Sequence, residues 1–319
     1  MSDDANRADA TALTAGATHR RVSPRLALGP LAYYWPRAEV HAFYDDVATL
    51  PVDVVYLGEV VCGKRHEVSF ADWMAIGRAL ATTGKEVVLS GLALPESETD
   101  LRVLRRLVGN GTFAVEANDM GMVRLAAEAQ VPFVVGPHVN AYNLATLGLL
   151  CDAGAMRWVM PIDLGADALR AMIPLPLPVE VFAFGRLPLA WSARCFTARA
   201  RDRAKDDCGF TCRDDPDGLS LATLDGEALF VLNGIQTQSA RPSSLANVIG
   251  EAAALGVSVL RVMPQARHTV DIVRAFRDAI DGRVAADEAA RTLETLTGAT
   301  RAGYWRGMAG MGPRVESRP

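Results

Sequence analysis

No run of about twenty apolar residues occurs in the sequence, so nothing in it has the length of a membrane-spanning helix. The longest apolar stretches, such as VPFVVG at 131–136, are cut by proline, glycine or charge. Basic residues form no block: 33 Lys and Arg against 37 Asp and Glu leave a net charge of −4, without the electrostatic footprint of a nucleic-acid binder. The opening stretch, MSDDANRADATALTAGATHRRVSPR, lacks the apolar segment of a secretory signal. It reads as a disordered tail over residues 1–24, and the protein is expected in the cytoplasm. Cysteine is scarce too: five in 319 residues is an odd number with no disulfide framework, which turns attention to metal or catalysis. Half the residues are hydrophobic and 22% charged, the balance of a soluble globular chain.

Short β-branched runs bounded by Gly or Pro alternate with longer helical patterns. Strands are read at LALG (26–29), DVVYLG (53–58), EVVLSG (86–91), TFAVEA (112–117), PFVVG (132–136), RWVMP (157–161), VEVFAFG (179–185) and SVLRVM (258–263). Between them EVHAFYDDVATL, FADWMAIGRALATTG, DLRVLRRLVGNG and NDMGMVRLAAEAQ place apolar residues at helical spacing. TVDIVRAFRDAIDG reads as the last long helix, after the eighth strand. Continuous apolar strands separated by single helices imply a parallel sheet covered on its outer face, and eight units suggest an α/β (β/α)8 TIM-like barrel over residues 25–319. A doubly wound open sheet is the alternative, but the loop after its first strand would be Gly-rich. Here it is GPLAYYWP, with no G-x-G-x-x-G.

The rhythm breaks after the seventh strand. An insertion at about 191–236 holds Cys195, Cys208 and Cys212, then LSLATLDGEALFVLNG, a β-hairpin turning at Asp225–Gly226. The second strand ends YLGEVVCGKR, which puts Cys62 past the same end of the barrel, where such folds carry their chemistry. The set is one lone cysteine followed by C-x12-C-x3-C, without the paired knuckles usual for structural zinc. An iron–sulfur cluster tolerates widely separated thiolates, so a metal or cluster site is expected, iron–sulfur before zinc, and ordinary reduced cysteines in a polar loop remain the alternative. Arg194, Arg199, Arg201, Arg203 and Lys205 are expected to offset cluster and thiolate charge. Cys151, in LGLLCDAGA, reads instead as a small core residue.

The segments GPLAYYWP, VYLGEVVCGKR and EVFAFGRLPLAWSARCFTARARDRAKDDCGFTC, with the later GYWRGMAG, resemble the peptidase U32 family from about residue 25 to 315. Within it the likeness is to the branch serving oxygen-independent ubiquinone biosynthesis. That resemblance implies a [4Fe–4S] cluster on Cys62, Cys195, Cys208 and Cys212. It implies a heterodimer with a homologous U32 partner, working alongside a sterol-carrier-like lipid-binding accessory protein. It also implies hydroxylation of the ring of ubiquinone precursors without O2, with prephenate as the oxygen source. The word peptidase does not carry over, since neither H-E-x-x-H nor G-x-S-x-G occurs. Other relatives modify RNA, so an RNA-modifying hydroxylase is a second expectation and a non-catalytic partner with a purely structural cluster a third.

Polar residues at strand ends complete the candidate set: Tyr33, Tyr34, Glu59, Asn118, Asp119, His138, Asn140, Asn143 and Arg186. His138 can donate a proton or orient an aromatic hydroxyl, and equally can cap a loop. Asn140 and Asn143 suit the start of a helix. Glu59, beside Cys62, is expected to pair with Lys64, Arg65 or Arg194. Arg186 can clamp a carboxylate in bidentate fashion, as the two carboxylates of prephenate require, or serve a structural pair.

Overall fold

The structure is a computed structural model describing residues 23–301 and 303–308, and all but the last two residues of the expected 1–24 tail lie outside that range. Eight parallel strands form the barrel: β1 (Arg25–Leu28), β2 (Val54–Leu57), β3 (Glu86–Ser90), β4 (Ala114–Ala117), β5 (Phe133–Val135), β6 (Ala155–Val159), β7 (Val179–Trp191) and β11 (Val257–Val262). Each pairs with the next, and β11 closes the ring by pairing with both β7 and β1. Every strand read from the sequence is present. Helices α1 (Arg37–Thr49), α2 (Phe70–Thr82), α3 (Glu98–Val108), α4 (Met120–Glu128), α5 (Leu144–Asp152), α6 (Ala166–Ala171), α8 (Ile249–Ala254) and α9 (Thr269–Ile280) connect them. α9 is not the last long helix: α10 (Ala286–Thr297) follows, and Ala289, Ala290 and Leu293 bury its apolar stripe. Ser69 and Ser97 open α2 and α3 with reciprocal capping boxes to Asp72 and Asp100, satisfying backbone donors that a helix start leaves orphaned.

Side chains alternate across each strand, and the alternation divides the core. Leu26, Leu28, Val55 and Leu57 face the helices, while Ala27, Val54, Tyr56, Val88, Val134, Val159 and Val259 fill the barrel. Branched apolar residues usually complete such an interior. Here the same inward parity also carries Ser90, Glu116, Arg157, Glu180 and Arg261, all buried. Arg261 meets Glu180 at 2.5 Å and Glu116 at 2.7 Å, Arg157 meets Glu180 at 2.9 Å, and the Tyr56 hydroxyl donates to Glu180 at 2.6 Å. Each buried charge thus has an opposite partner, the condition for tolerating it away from water.

β7 outgrows the barrel. From Phe184 onward it pairs antiparallel with β10 (Gln236–Ser244), which pairs with β9 (Ala228–Asn233), and β9 with β8 (Leu219–Ala222). The β8–β9 turn falls at Asp225–Gly226, where Gly226 takes φ +87° and its N–H donates to Thr223 O. The short helix α7 (Phe196–Ala200) lies between β7 and β8, and β12 (Thr300–Arg301) adds to β10. This outer sheet rises from the end of the barrel where strands β1, β2, β5 and β7 deliver their following loops.

Candidate functional site

Two adjoining cavities occupy that end. The first, about 350 Å³, is lined by Cys62, Cys195, Cys208 and Cys212 together with Lys64, Arg65 and Lys205. Cys62 arrives on the loop after β2, Cys195 caps the start of α7, and Cys208 and Cys212 flank the turn at Phe210, whose φ of +53° reverses the chain. Backbone N–H groups donate to two sulfurs: Ala198 to Cys195 (3.4 Å) and Phe210 to Cys208 (3.4 Å). Arg65 lines the same cavity as Cys62 and Cys212, and its charge acts on both. Burial pushes the Cys62 thiol up to about 11 and raises Cys212 too, Arg65 opposing it in both. Such thiols ionise when a metal binds them.

Salt links fix this loop to the barrel. Lys205 pairs with Glu96 at 2.5 Å and donates to Ala193 O at 2.8 Å, and Lys64 pairs with Asp206 at 2.7 Å. Arg194, Arg199, Arg201 and Arg203 are exposed and do not line the cavity. The cations nearest the thiols are therefore Lys64, Arg65 and Lys205, because the loop turns its other arginines to water, Arg201 pairing there with Asp215 at 3.1 Å. Glu59 is engaged by its own loop and by one of the cations considered for it. Its carboxylate accepts from the N–H groups of Val61 (2.8 Å) and Cys62 (3.0 Å) and lies 3.6 Å from Arg65. Cys151 is not in the core: it is half-buried in the last turn of α5, whose Leu147 and Leu150 turn inward instead.

A zinc ion would need four sulfurs about 3.8 Å apart, from Zn–S bonds of about 2.3 Å. Among the described residues no three metal-ligating side chains stand close enough to hold one ion. A four-iron cluster takes one thiolate at each of four separated corners, and four cysteines around one void with N–H donors toward sulfur are a donor set that suits it.

The second cavity, about 610 Å³, is the barrel mouth. Arg261 forms its floor, and Asn118, His138, Arg186, Trp191 and Gln236 its walls. His138 sits in a turn after β5 with its ring against Trp191, centroids 4.8 Å apart; burial first, then the Arg261 charge, hold it down to about 3, so the imidazole is neutral. The Arg186 guanidinium donates to the carbonyls of Ser239 and Ala240 and faces the buried Tyr33 hydroxyl; no carboxylate pairs with it among the described residues. Five buried polar atoms of residues lining this cavity lack a hydrogen bond: Arg261 Nη2, Trp191 Nε1, Gln265 Nε2, Asn118 Oδ1 and Glu116 Oε1. The last is answered by the Arg261 charge at 2.7 Å, which leaves the other four. Buried groups are ordinarily paired, so three donors, one acceptor and a second guanidinium describe a place for an acceptor-rich anion that also carries a hydroxyl.

Of the other candidates, Tyr34 borders the thiol loop, its ring 5.6 Å from that of Phe210. Asp119 and Asn143 cap α4 and α5, and Asn140 takes φ +59° in the intervening turn. Arg261, Trp191, Asn233, Gln236 and Gln238 were not singled out by the sequence. Arg261 had a signal there, a lone charge inside the apolar run SVLRVM, matched by Glu116 in TFAVEA and Glu180 in VEVFAFG.

Fold and site together define a closed (β/α)8 barrel with an open mouth and an adjoining four-cysteine annex. The family model for peptidase family U32 matches residues 41–316, and the chain belongs to that family. Among solved structures, the U32 peptidase Mk0906 is similar at a TM-score of 0.45 and 11% identity, over 77% of this chain and 95% of that one. The dihydropteroate synthase of Xanthomonas albilineans gives 0.41 and 12%, over 85% and 94%. A rubisco-like protein from Alicyclobacillus acidocaldarius gives 0.44 and 16%, over 86% and 66%.

Proposed function

We propose that this chain is a UbiV-like iron–sulfur subunit of an oxygen-independent hydroxylase acting on the ring of ubiquinone precursors. In this reading it pairs with a UbiU-like U32 homologue, works alongside a sterol-carrier-like lipid-binding protein, and takes oxygen from prephenate. The observation that carries the reading is the lining of one void by Cys62, Cys195, Cys208 and Cys212 beside an anion-suited barrel mouth. When bound, a four-cysteine cluster supplies one-electron transfer, with no iron left open for substrate.

The chain's own residues do the remaining work. Arg186 and Arg261 hold carboxylates of the oxygen donor, and Asn118 Oδ1 accepts from its hydroxyl. The Trp191 face and the neutral His138 ring bound the apolar side and exclude water. The absence of a basic block leaves the RNA-modifying alternative without a footprint.

The test is anaerobic purification with iron and sulfide assays and EPR of the dithionite-reduced protein. About four irons and four sulfides per chain are expected. They should be lost in Cys62→Ala, Cys195→Ala, Cys208→Ala and Cys212→Ala and kept in Cys151→Ala. Zinc alone, or no metal, overturns the reading.

A further inference from the structure

One hydrogen-bonded array runs from the lining of the barrel mouth to the lining of the thiol cavity. β10 sends Gln236 and Gln238 to the same face, two residues apart, and both line the barrel mouth. The Tyr33 hydroxyl donates to Gln238 Oε1 at 3.1 Å, and Gln238 Nε2 donates to Gln236 Oε1 at 2.8 Å. From the other side Asn233 Nδ2 donates to the same oxygen at 3.1 Å, and also to Ala32 O at 2.8 Å. Asn233 Oδ1 accepts from Arg65 Nη2 at 2.8 Å, and Arg65 Nη1 donates to Ala32 O at 2.8 Å. Arg65 in turn lines the thiol cavity together with Cys212.

The directions of these bonds limit what the array can do. Donors converge on Gln236 Oε1 from both sides, and neither amide both takes up and releases a proton, so it is no proton wire. Each amide orientation is instead fixed by the next: turning Gln236 over would set its NH2 against two other NH2 groups and leave Ala32 O as the one remaining acceptor for Asn233 Nδ2, loosening the hold of Asn233 on Arg65. Asn233, Gln236 and Gln238 are all at least 97% buried, so water does not replace a lost partner cheaply.

We propose that Gln236 is a positioning residue coupling the barrel mouth to the thiol site, holding Asn233, and through it Arg65, beside Cys212. This rests on the reading that the four thiols hold an iron–sulfur cluster. A guanidinium fixed at that place favours the more negative, reduced form of such a group, and releasing it disfavours that form. By linkage, whatever occupies the mouth and moves Gln238 or Gln236 is felt at the thiols, and the reverse.

The experiment measures iron content, midpoint potential and reduced EPR spectrum of the full chain after anaerobic reconstitution. The samples are wild type, Gln236→Met, Gln238→Met and Gln265→Met. Gln236→Met should keep its iron, shift to a more negative potential and change the EPR line shape. Gln238→Met should shift the same way by less, and it carries the test alone if Gln236→Met does not fold. Gln265→Met disturbs the same cavity from outside the array and should leave potential and spectrum unchanged. Iron bound with no shift in Gln236→Met, or in Gln238→Met where that variant stands alone, overturns the coupling and leaves the cluster reading standing. An equal shift in Gln265→Met also overturns it. Absence of iron from the wild type overturns both, and the iron assay tells the cases apart.

Discussion

Arg261 and Glu180 meet at 2.5 Å inside the barrel, on the strands β11 and β7 whose pairing closes it. The same carboxylate takes Arg157 and the Tyr56 hydroxyl, so one glutamate answers two guanidiniums. Glu180→Leu leaves both short of a partner and should destabilise by about 3–5 kcal/mol, read as a lower urea midpoint at unchanged slope. Tyr56→Phe removes two hydrogen bonds to charged groups, the one donated to Glu180 and the one accepted from Arg157 at 2.9 Å, and should cost at least about 1.5–3 kcal/mol.

Gly58 joins β2 to the loop bearing Glu59 and Cys62. Its φ is +124°, and an added Cβ would stand 2.6 Å from the Ser90 carbonyl oxygen, a backbone atom that cannot step aside. Gly58→Ala should lower stability by about 1–3 kcal/mol through strain alone, and more through the clash. Because the shift falls on the Cys62 loop, retention of the cluster proposed for that site should drop with it, measured as iron per chain after desalting.

The neutral His138 gives the protein an acid-sensitive component. Its folded value, about 3, lies below the unfolded 6.5, so the unfolded chain binds that proton first. The stability contributed is full above pH 6.5 and is lost as pH falls toward 3. His138→Phe should therefore flatten the fall in urea stability across this window. About 1–2 kcal/mol of difference is expected, reduced from the full shift because the ring lines an open cavity.

Arg186 is a cation held by carbonyls; its charge acts on Asp217, but no carboxylate among the described residues stands within ion-pair distance of it. Malonate, a small dicarboxylate, should bind at the barrel mouth and change the fluorescence of Trp191. Arg186→Met should weaken that binding about tenfold or more, since a charged hydrogen bond is worth about 1.5–3 kcal/mol. Lys205→Ala, breaking a half-exposed pair, should change global stability by less than about 1 kcal/mol.

The barrel was legible because its strands are buried on both faces and read as apolar runs between Gly and Pro. The Gly226 turn was legible for its Asp-Gly pair. β10 was not: QTQSARPSS has neither alternation nor apolar content, and it is a strand because the overhang of β7 offers it a partner. The four cysteines were legible as a set, whereas the arginines around them were not sorted. Composition alone does not say that Arg65 turns inward and Arg199 outward. Asn233, Gln236 and Gln238 act through who faces whom across 205 residues of chain, from Tyr33 to Gln238, and no local pattern carries that.

Cys62 belongs to the second barrel unit, and its three companions to the strand overhang that follows the seventh. The four sulfurs can stand around one void only after residues more than a hundred positions apart have docked. The void is therefore a property of the closed ring and not of any one unit: a chain whose second unit and overhang have not met has the same four cysteines and no chamber between them.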